Sequence, residues 1–256
     1  EKNRGAKTFT YLHYMDPHSP YEPTPERYLK FADKIFGSPL DLDKDVRPVV
    51  PELQASGFGS GDERFEDLVL RYDAEITETD DAVKLLLDGM KELGILEKTI
   101  VIVTADHGEE FLEHGYVEHG WQLYRESIHV PLIVWAPGLV KPARIKDCVS
   151  HIDMFPTLAA VAGTEPRSDV QGKPLLRTQD QTLSYIPSDR PVISELFLET
   201  RASLRAIIAD GHKYLAAQRW LTPEERSVAV KEQTARLDLL RKGELPLVDK
   251  WAPPVH

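Results

Sequence analysis

The sequence predicts an α/β protein, in which strands rich in β-branched residues alternate with helices. Two short apolar runs, residues 99–103 and 130–135, have the length and composition of strands. Between residues 63 and 93, apolar side chains recur at the spacing of one helix face. Strands and helices that alternate along a chain are typical of a sheet covered by helices.

The first predicted strand covers residues 8–14 and ends at a proline-rich loop. Prolines recur so closely over residues 16–25 that this segment cannot be a helix or a central strand. The loop therefore places His18 just beyond the end of a strand. Residues 37–62 combine prolines, glycines and acids, and we expect them to form a long surface excursion.

The longest predicted helix covers residues 63–93. Leu68, Tyr72, Val83, Leu87 and Met90 belong to its apolar face, and Gly94 is expected to end it. Acidic residues recur on the opposite face, which predicts a solvated surface. These acids are Asp67, Glu75, Glu78, Asp81 and Asp88.

The segment after residue 103 carries the strongest chemical signal. Residues 99–103 have the β-branched content of a buried parallel strand, and Asp106, His107 and Gly108 follow almost at once. In α/β sheets, reactive groups gather at the carboxyl ends of strands. A carboxylate beside an imidazole either binds one divalent cation or forms a base with the group that orients it.

The second half of the chain is predicted to contain more helix and strand. A helix over residues 152–162 ends at Gly163, with Asp153 expected to cap its start beside His151. Residues 164–190 are polar with scattered glycine and proline, and we expect a connector.

The last part of the chain is predicted to form a small sheet and a helix. Strands are expected over residues 192–198 and 204–209, with a turn at Asp210-Gly211 and a return strand from Lys213. A proline and a glutamate just after Thr222 are typical of a helix start, and that helix is expected to reach residue 240.

Composition limits the class of protein. The 256 residues allow one large domain or two small ones, and the apolar share of 41% is enough for a sizeable core. The net charge of −11 argues against nucleic acid as the main partner, because such binding needs a basic surface. The single cysteine excludes an internal disulfide, and no apolar run reaches the length of a membrane span.

Three ordered segments resemble the sulfatase family of the alkaline-phosphatase superfamily. The first is the Asp-Pro-His-x-Pro-Tyr pattern within residues 9–21, and the second is the Thr-Ala-Asp-His-Gly-Glu strand end with its His-Gly-rich loop over residues 104–126. The third is the Asp-x-x-Pro-Thr-Leu helix within residues 149–158. The C-terminal 40 residues depart from the family pattern.

The resemblance implies an alkaline-phosphatase-like α/β sandwich with a central mixed sheet. It places the sulfatase-like core in residues 1–189 and a small C-terminal α+β subdomain in residues 190–256. It also implies a sulfuric ester hydrolase with an anionic ester substrate. A periplasmic or extracellular location is usual for such proteins.

The resemblance assigns a metal site to Asp106 and His107. Calcium is the cation expected for the family, although an imidazole ligand suits manganese or zinc better. We expect Glu109 and His114, which share the following loop, to support these ligands.

Two further histidines are expected to act on the ester. His18 matches the family histidine near the leaving-group oxygen, where a histidine can donate a proton near neutral pH. His119 lies where many sulfatases have a lysine that binds the ester oxygens. A protonated histidine could do the same work.

No nucleophile motif occurs in this sequence. Sulfatases carry a Cys/Ser-x-Pro-x-Arg motif whose first residue becomes formylglycine, and the only cysteine, Cys148, lacks the proline and arginine. We therefore expect Cys148 to be a buried or half-buried strand residue. We also expect the chain to be the C-terminal portion of a sulfatase, inactive alone, whose partner is the missing N-terminal portion or a second copy.

Other functions remain open at this point. A phosphonate or phosphodiester hydrolase and a phosphoglycerol-type transferase belong to the same superfamily, and the identity of the nucleophile would separate them from a sulfatase. A catalytically inactive homologue that only binds an anion or a partner is the third alternative. Retention of His18, Asp106, His107 and His119 together argues against this last one.

Overall fold

The computed structural model describes residues 7–32, 57–180, 182–197, 202–209 and 211–219. Internal contacts divide the chain into two units. The first contains Glu1–Thr99 and Glu109–Glu118, and the second contains Ile100–Gly108 and His119–His256. The helix predicted from Thr222 and most of the excursion predicted at residues 37–62 lie outside the described residues.

The first unit is built on one long helix. A short helix α1 covers Pro25–Tyr28, and α2 covers Glu63–Glu92. The short strands β1a and β1b of this unit, Glu110–Phe111 and Val117–Glu118, pair antiparallel. The core of the unit consists of Tyr21, Phe58, Phe65, Leu68 and Val117.

Helix α2 confirms the predicted span and end. The Asp62 side chain accepts a hydrogen bond from the backbone N–H of Arg64 and so caps the first turn. Gly94 has φ +66°, a left-handed conformation that glycine adopts without steric cost, and it follows the last turn.

The prediction that the acidic face of α2 is wholly solvated is wrong. Asp67 and Glu75 are buried. Asp67 accepts hydrogen bonds from the Arg71 guanidinium, at 2.8 Å, and from the Tyr28 hydroxyl. Burial of a carboxylate requires such partners, and they come from α1 and from the helix itself.

The predicted strand at residues 8–14 is also wrong within the described part of the chain. No ladder partner for this segment occurs there, and the segment has no strand hydrogen bonds. Phe9, Tyr11 and Leu12 are exposed. An apolar, β-prone composition does not make a strand unless a neighbouring strand takes up its backbone groups.

The second unit begins with a two-stranded antiparallel sheet. Strand β2 covers Val101–Thr104, and β3 covers Leu132–Trp135, with Val103 opposite Ile133. Both strands were predicted, but the expectation of a buried parallel strand at residues 99–103 is wrong. The pairing is antiparallel, and Val103 and Thr104 are exposed.

The remaining elements of the second unit follow in order. They are helix α3 at Arg125–Ile128, helix α4 at Met154–Ala162, and strands β4 at Leu176–Gln179, β5 at Thr182–Tyr185, β6 at Val192–Phe197, β7 at Ala202–Ala209 and β8 at His212–Arg219. Strands β6, β7 and β8 form one antiparallel sheet, which confirms the predicted meander.

Two expectations for this unit are corrected. The predicted connector contains the β4–β5 hairpin, because Leu176 and Leu183 join a buried cluster with Ala136. Cys148, predicted to be a buried or half-buried strand residue, is exposed and lies outside the strands. None of the helices in the described residues is long and apolar enough to cross a membrane.

One face of the β2–β3 sheet is apolar and exposed. Ile100 and Val134 pack against the buried cluster, whereas Val103, Ile133 and Trp135 are 36%, 57% and 38% exposed. Side chains of alternate residues share one face of a strand, so these three lie together. Large apolar side chains are usually buried in the interior of a protein, so their exposure here is informative.

This exposed face predicts self-association. We expect the purified chain to form dimers or larger species in light scattering, because a contiguous apolar surface of this kind tends to be covered. Replacing Ile133 with lysine should shift the chain toward monomer. Leu85→Lys, which changes an exposed leucine of α2, should leave the distribution unchanged. Equal effects of the two variants would contradict the assignment to this face.

Candidate active site

The turn after β2 presents Asp106 and His107. The Asp106 side chain is 76% exposed, and its Oδ1 accepts a hydrogen bond of 3.0 Å from the backbone N–H of His107. Gly108 follows, and its N–H donates to the carbonyl oxygen of Ser127 at 2.8 Å. A Cβ atom on Gly108 would lie 1.8 Å from the carbonyl oxygen of Glu126. Only glycine allows this close approach of two backbones.

His119, which follows the short strand Val117–Glu118, contacts His107 of this turn. Their rings stack with centroids 3.7 Å apart and planes inclined by 29°. Nδ1 of His107 lies 2.9 Å from the carbonyl oxygen of Gly108, and because a carbonyl only accepts, Nδ1 carries the proton. Nε2 lies 3.7 Å from Oδ1 of Asp106. In the neutral tautomer, Nε2 therefore has a lone pair on the side of the carboxylate.

The donor set fits only part of a metal shell. Asp106 and His107 offer one carboxylate and one imidazole, and no group of three or more potential His, Cys, Asp or Glu ligands occurs in the part of the chain that the structure describes. Calcium takes six to eight oxygen ligands, so these residues alone do not fit it. They match two ligands of a manganese or zinc ion more closely.

His18 lies in the first unit, on the proline-rich loop. It is exposed, and Nδ1 lies 2.7 Å from the carbonyl oxygen of Ser19. Nδ1 is again the protonated nitrogen, because its partner only accepts. This loop packs along α2, and the Thr79 hydroxyl donates to the carbonyl oxygen of Asp16 at 3.1 Å.

Glu109 and His114 also belong to the first unit. The Tyr21 hydroxyl donates a hydrogen bond of 2.8 Å to Glu109. Burial of Tyr21, together with the nearby Glu109 carboxylate, raises the pKa of the phenol, so that it stays a neutral donor. His114 is exposed in the turn between the two short strands. Glu109 therefore orients a tyrosine of the His18 loop, a contact that sequence reasoning did not find.

The pair His151 and Asp153 has the structural role predicted for it. Asp153 and Ser150 form a reciprocal cap at the helix start, and the Asp153 carboxylate also accepts the backbone N–H of Lys173 at 2.9 Å. Asp153 is buried and forms an ion pair with Arg190. Its oxygens are thus engaged in holding the fold together.

Sequence reasoning missed Glu75. This buried carboxylate accepts a hydrogen bond of 2.6 Å from the backbone N–H of Glu22 on the His18 loop. A helical pattern showed only that Glu75 lay off the main apolar face. The spacing of Glu75, Glu78 and Thr79 within one helical turn is the signal that could have suggested a shared polar contact.

Comparison with protein families gives a direct match. A family model described as Sulfatase matches residues 1–164. Among curated proteins, the chain is similar to arylsulfatase K of Bos taurus, with 34% identity over 110 residues that cover 43% of this chain and 20% of that protein. It is also similar to arylsulfatase K of Gallus gallus, with 30% identity covering 56% of this chain and 28% of that protein. The matched part of the chain spans 20% to 28% of the length of these relatives.

Solved structures show the same fold. A protein of Bacteroides fragilis described as a "putative sulfatase" has a TM-score of 0.59 and 24% identity, covering 80% of this chain and 43% of that one. A protein solved with its substrate D-glucosamine-2-N,6-O-disulfate has a TM-score of 0.54 and 18% identity, covering 90% and 63%. A phosphonate monoester hydrolase of Agrobacterium radiobacter has a TM-score of 0.53 and 20% identity, covering 72% and 43%. The predicted α/β fold class is confirmed.

Proposed function

The chain belongs to the sulfatase family, and we propose that it supplies part of the active site of a sulfuric ester hydrolase. In this proposal Asp106, His107 and His119 hold the anionic ester, and His18 acts on the leaving group. The domain limits at residues 189 and 190 remain a prediction.

One observation supports this function above the others. The turn after strand β2 carries Asp106 and His107, and the ring of His119 stacks on that of His107. Histidines held in this way present nitrogen atoms to a ligand at the strand end, and imidazolium is a group that attracts anions.

The proposed roles follow from the chemistry of ester cleavage. The reaction places negative charge on the leaving oxygen and on the ester oxygens. His18 would give its proton to the leaving oxygen, and a protonated His119 would bind the ester oxygens. His114 and Glu109 are proposed to keep the surrounding loops in place.

A divalent cation is proposed at Asp106 and His107. When bound, such a cation would offset charge on the ester. Two ligands do not complete its shell, so further ligands must come from residues outside this pair. Binding to the chain alone should accordingly be weak.

The nucleophile is proposed to come from a segment other than those described. The sequence has no Cys/Ser-x-Pro-x-Arg motif, and an unactivated serine or threonine without a base does not replace it. The likeness to a phosphonate monoester hydrolase keeps phosphonate and phosphate diesters as the alternative substrates. The nucleophile that completes the site decides between these classes.

The isolated chain is therefore expected to bind a sulfate ester weakly and not to cleave it. Addition of para-nitrophenyl sulfate should shift the imidazole resonances of His107 and His119 in NMR spectra, without release of para-nitrophenol. His119→Gln should remove most of the shift at His107. His129→Gln, which changes an exposed histidine of the same unit, should leave it in place.

Two results would count against this proposal. The first is the absence of any shift at His107 and His119 with sulfate and phosphonate esters alike, which would mean that the turn is not an ester site. The second is turnover by the pure chain that Asp106→Ala abolishes, which would mean that the nucleophile lies within these 256 residues.

A further inference from the structure

The loop that carries His18 is fastened to α2 along one turn of the helix. Glu78 accepts hydrogen bonds from the backbone N–H of Thr24, at 2.9 Å, and from its hydroxyl. Thr79 donates to the carbonyl oxygen of Asp16. These contacts hold the two ends of the loop, one on each side of His18.

Glu75 holds the middle of the same loop. Its Oε1 accepts the backbone N–H of Glu22 at 2.6 Å, and its carboxylate also accepts the backbone N–H of His18. The side chain is buried, and Oε2 has no hydrogen-bond partner among the described residues. A carboxylate in this position contacts backbone and not the imidazole, so it fixes the location of His18 and not its chemistry.

The charge state of Glu75 is coupled to this contact. The pKa of Glu75 is raised from 4.5 to about 7, chiefly by burial and in part by the charges of Asp16 on the loop and Glu78 on the helix. The N–H groups of Glu22 and His18 oppose the rise, because they favour the ionised form. Burial has the larger effect, since water is excluded from most of the carboxyl group.

We propose that Glu75 is the positioning residue of His18, and that its contacts with the backbone of His18 and Glu22 set where the imidazole is presented. This inference rests on the proposed function, which assigns His18 to the leaving group. Helix α2 is the rigid element, and the loop takes its position from it.

The sign of the pH dependence follows from linkage. The loop is called closed here when its backbone N–H groups contact Glu75. Because the pKa of Glu75 is higher in the closed loop, Glu75 binds its proton more tightly there than when the loop opens and water reaches the carboxyl group. Protonation therefore favours the closed loop. The contribution of Glu75 protonation to the stability of the closed loop is complete below about pH 4.5, and it is lost as the pH rises through about 7.

Amide hydrogen exchange on the full chain tests the proposal. Protection of the His18 and Glu22 amides, corrected for intrinsic rates, should fall by roughly ten- to a hundredfold between pH 5 and pH 8. The amide of Ile207, in the sheet of the other unit, should not follow this transition. Absence of any transition near pH 7 at His18 and Glu22 would overturn the proposal.

Three variants separate positioning from general stabilisation. Glu75→Gln keeps an acceptor without a charge, so protection at His18 should stay high and no longer depend on pH. Glu75→Leu removes the acceptor, and protection of the His18 amide should fall by roughly ten- to a hundredfold at every pH. Glu92→Gln, an exposed glutamate of the same helix, should behave like the unchanged chain.

The amide of Leu68, in the core of the same unit, distinguishes local from global effects. If Glu75→Leu lowers its protection as much as that of His18, Glu75 supports the whole unit and the proposal is wrong. The His18 ring resonances should shift in Glu75→Leu and be restored in Glu75→Gln. Failure of the ester-binding experiment would leave these exchange results unchanged, so the two proposals fail separately.

Discussion

Replacing Gly108 with alanine is expected to lower the free energy of unfolding by about 3 kcal/mol or more. The new Cβ atom would lie 1.8 Å from the carbonyl oxygen of Glu126 and 3.0 Å from its carbonyl carbon. Because both neighbours are backbone atoms, no side-chain rotation relieves the overlap, and the loss should reach or exceed the upper end of the ~1–3 kcal/mol that is typical of overpacking. Denaturant unfolding measures the loss.

The same substitution should also disturb the candidate site. The N–H of Gly108 donates to Ser127, and a displaced backbone breaks this bond. His107 should then no longer stack on His119, and NMR spectra of the two imidazole rings would report this change. Gly89→Ala is the matched control, since no atom lies within 4 Å of its new Cβ. It should raise stability by about 0.5–1 kcal/mol, as alanine favours a helix interior.

Removing the charge of Arg71 is expected to cost about 3–5 kcal/mol of stability. Asp67 and Arg71 are buried, with side chains each 7% exposed and a contact of 2.8 Å. The Asp67 carboxylate accepts hydrogen bonds from the Arg71 guanidinium and the Tyr28 hydroxyl. Arg71→Met removes the first of these two donors while the carboxylate stays buried. Burying an unpaired charge costs far more free energy than burying the ion pair to which it belonged.

The double variant Asp67→Leu with Arg71→Met should recover much of this loss. Replacing both members of a buried pair by apolar side chains is often nearly neutral. Lys84→Ala provides the exposed comparison, because Lys84 pairs with Asp88 on the same helix at the same spacing. It should cost less than about 0.5 kcal/mol. A loss for Arg71→Met as small as this would contradict the burial of the pair.

Local patterns were enough to predict much of the secondary structure. The span of α2 and its end at Gly94 depend on apolar spacing and on one glycine, which act within a few residues. The turn carrying Asp106 and His107 after a strand was predicted for the same reason. The β6–β7–β8 sheet follows from short apolar strands joined by turn residues.

Contacts between distant residues could not be predicted in this way. Residues 8–14 have the composition of a strand, yet no neighbouring strand pairs with them in the described chain. The hairpin of β4 and β5 was missed because its buried leucines are separated by polar turn residues. A strand depends on its partner, and a single run of sequence does not contain that partner.

The sequence by itself determined the family and the residues on which the proposed chemistry depends. Asp106, His107, His119 and His18 are recognisable because each lies in a short segment that resembles the sulfatase family. Only the tertiary structure decided that His107 stacks on His119, and that Glu75 is buried under a loop 53 residues away in the chain. The physical reason is that burial and charge state depend on the neighbours that folding brings together, and these come from anywhere in the chain.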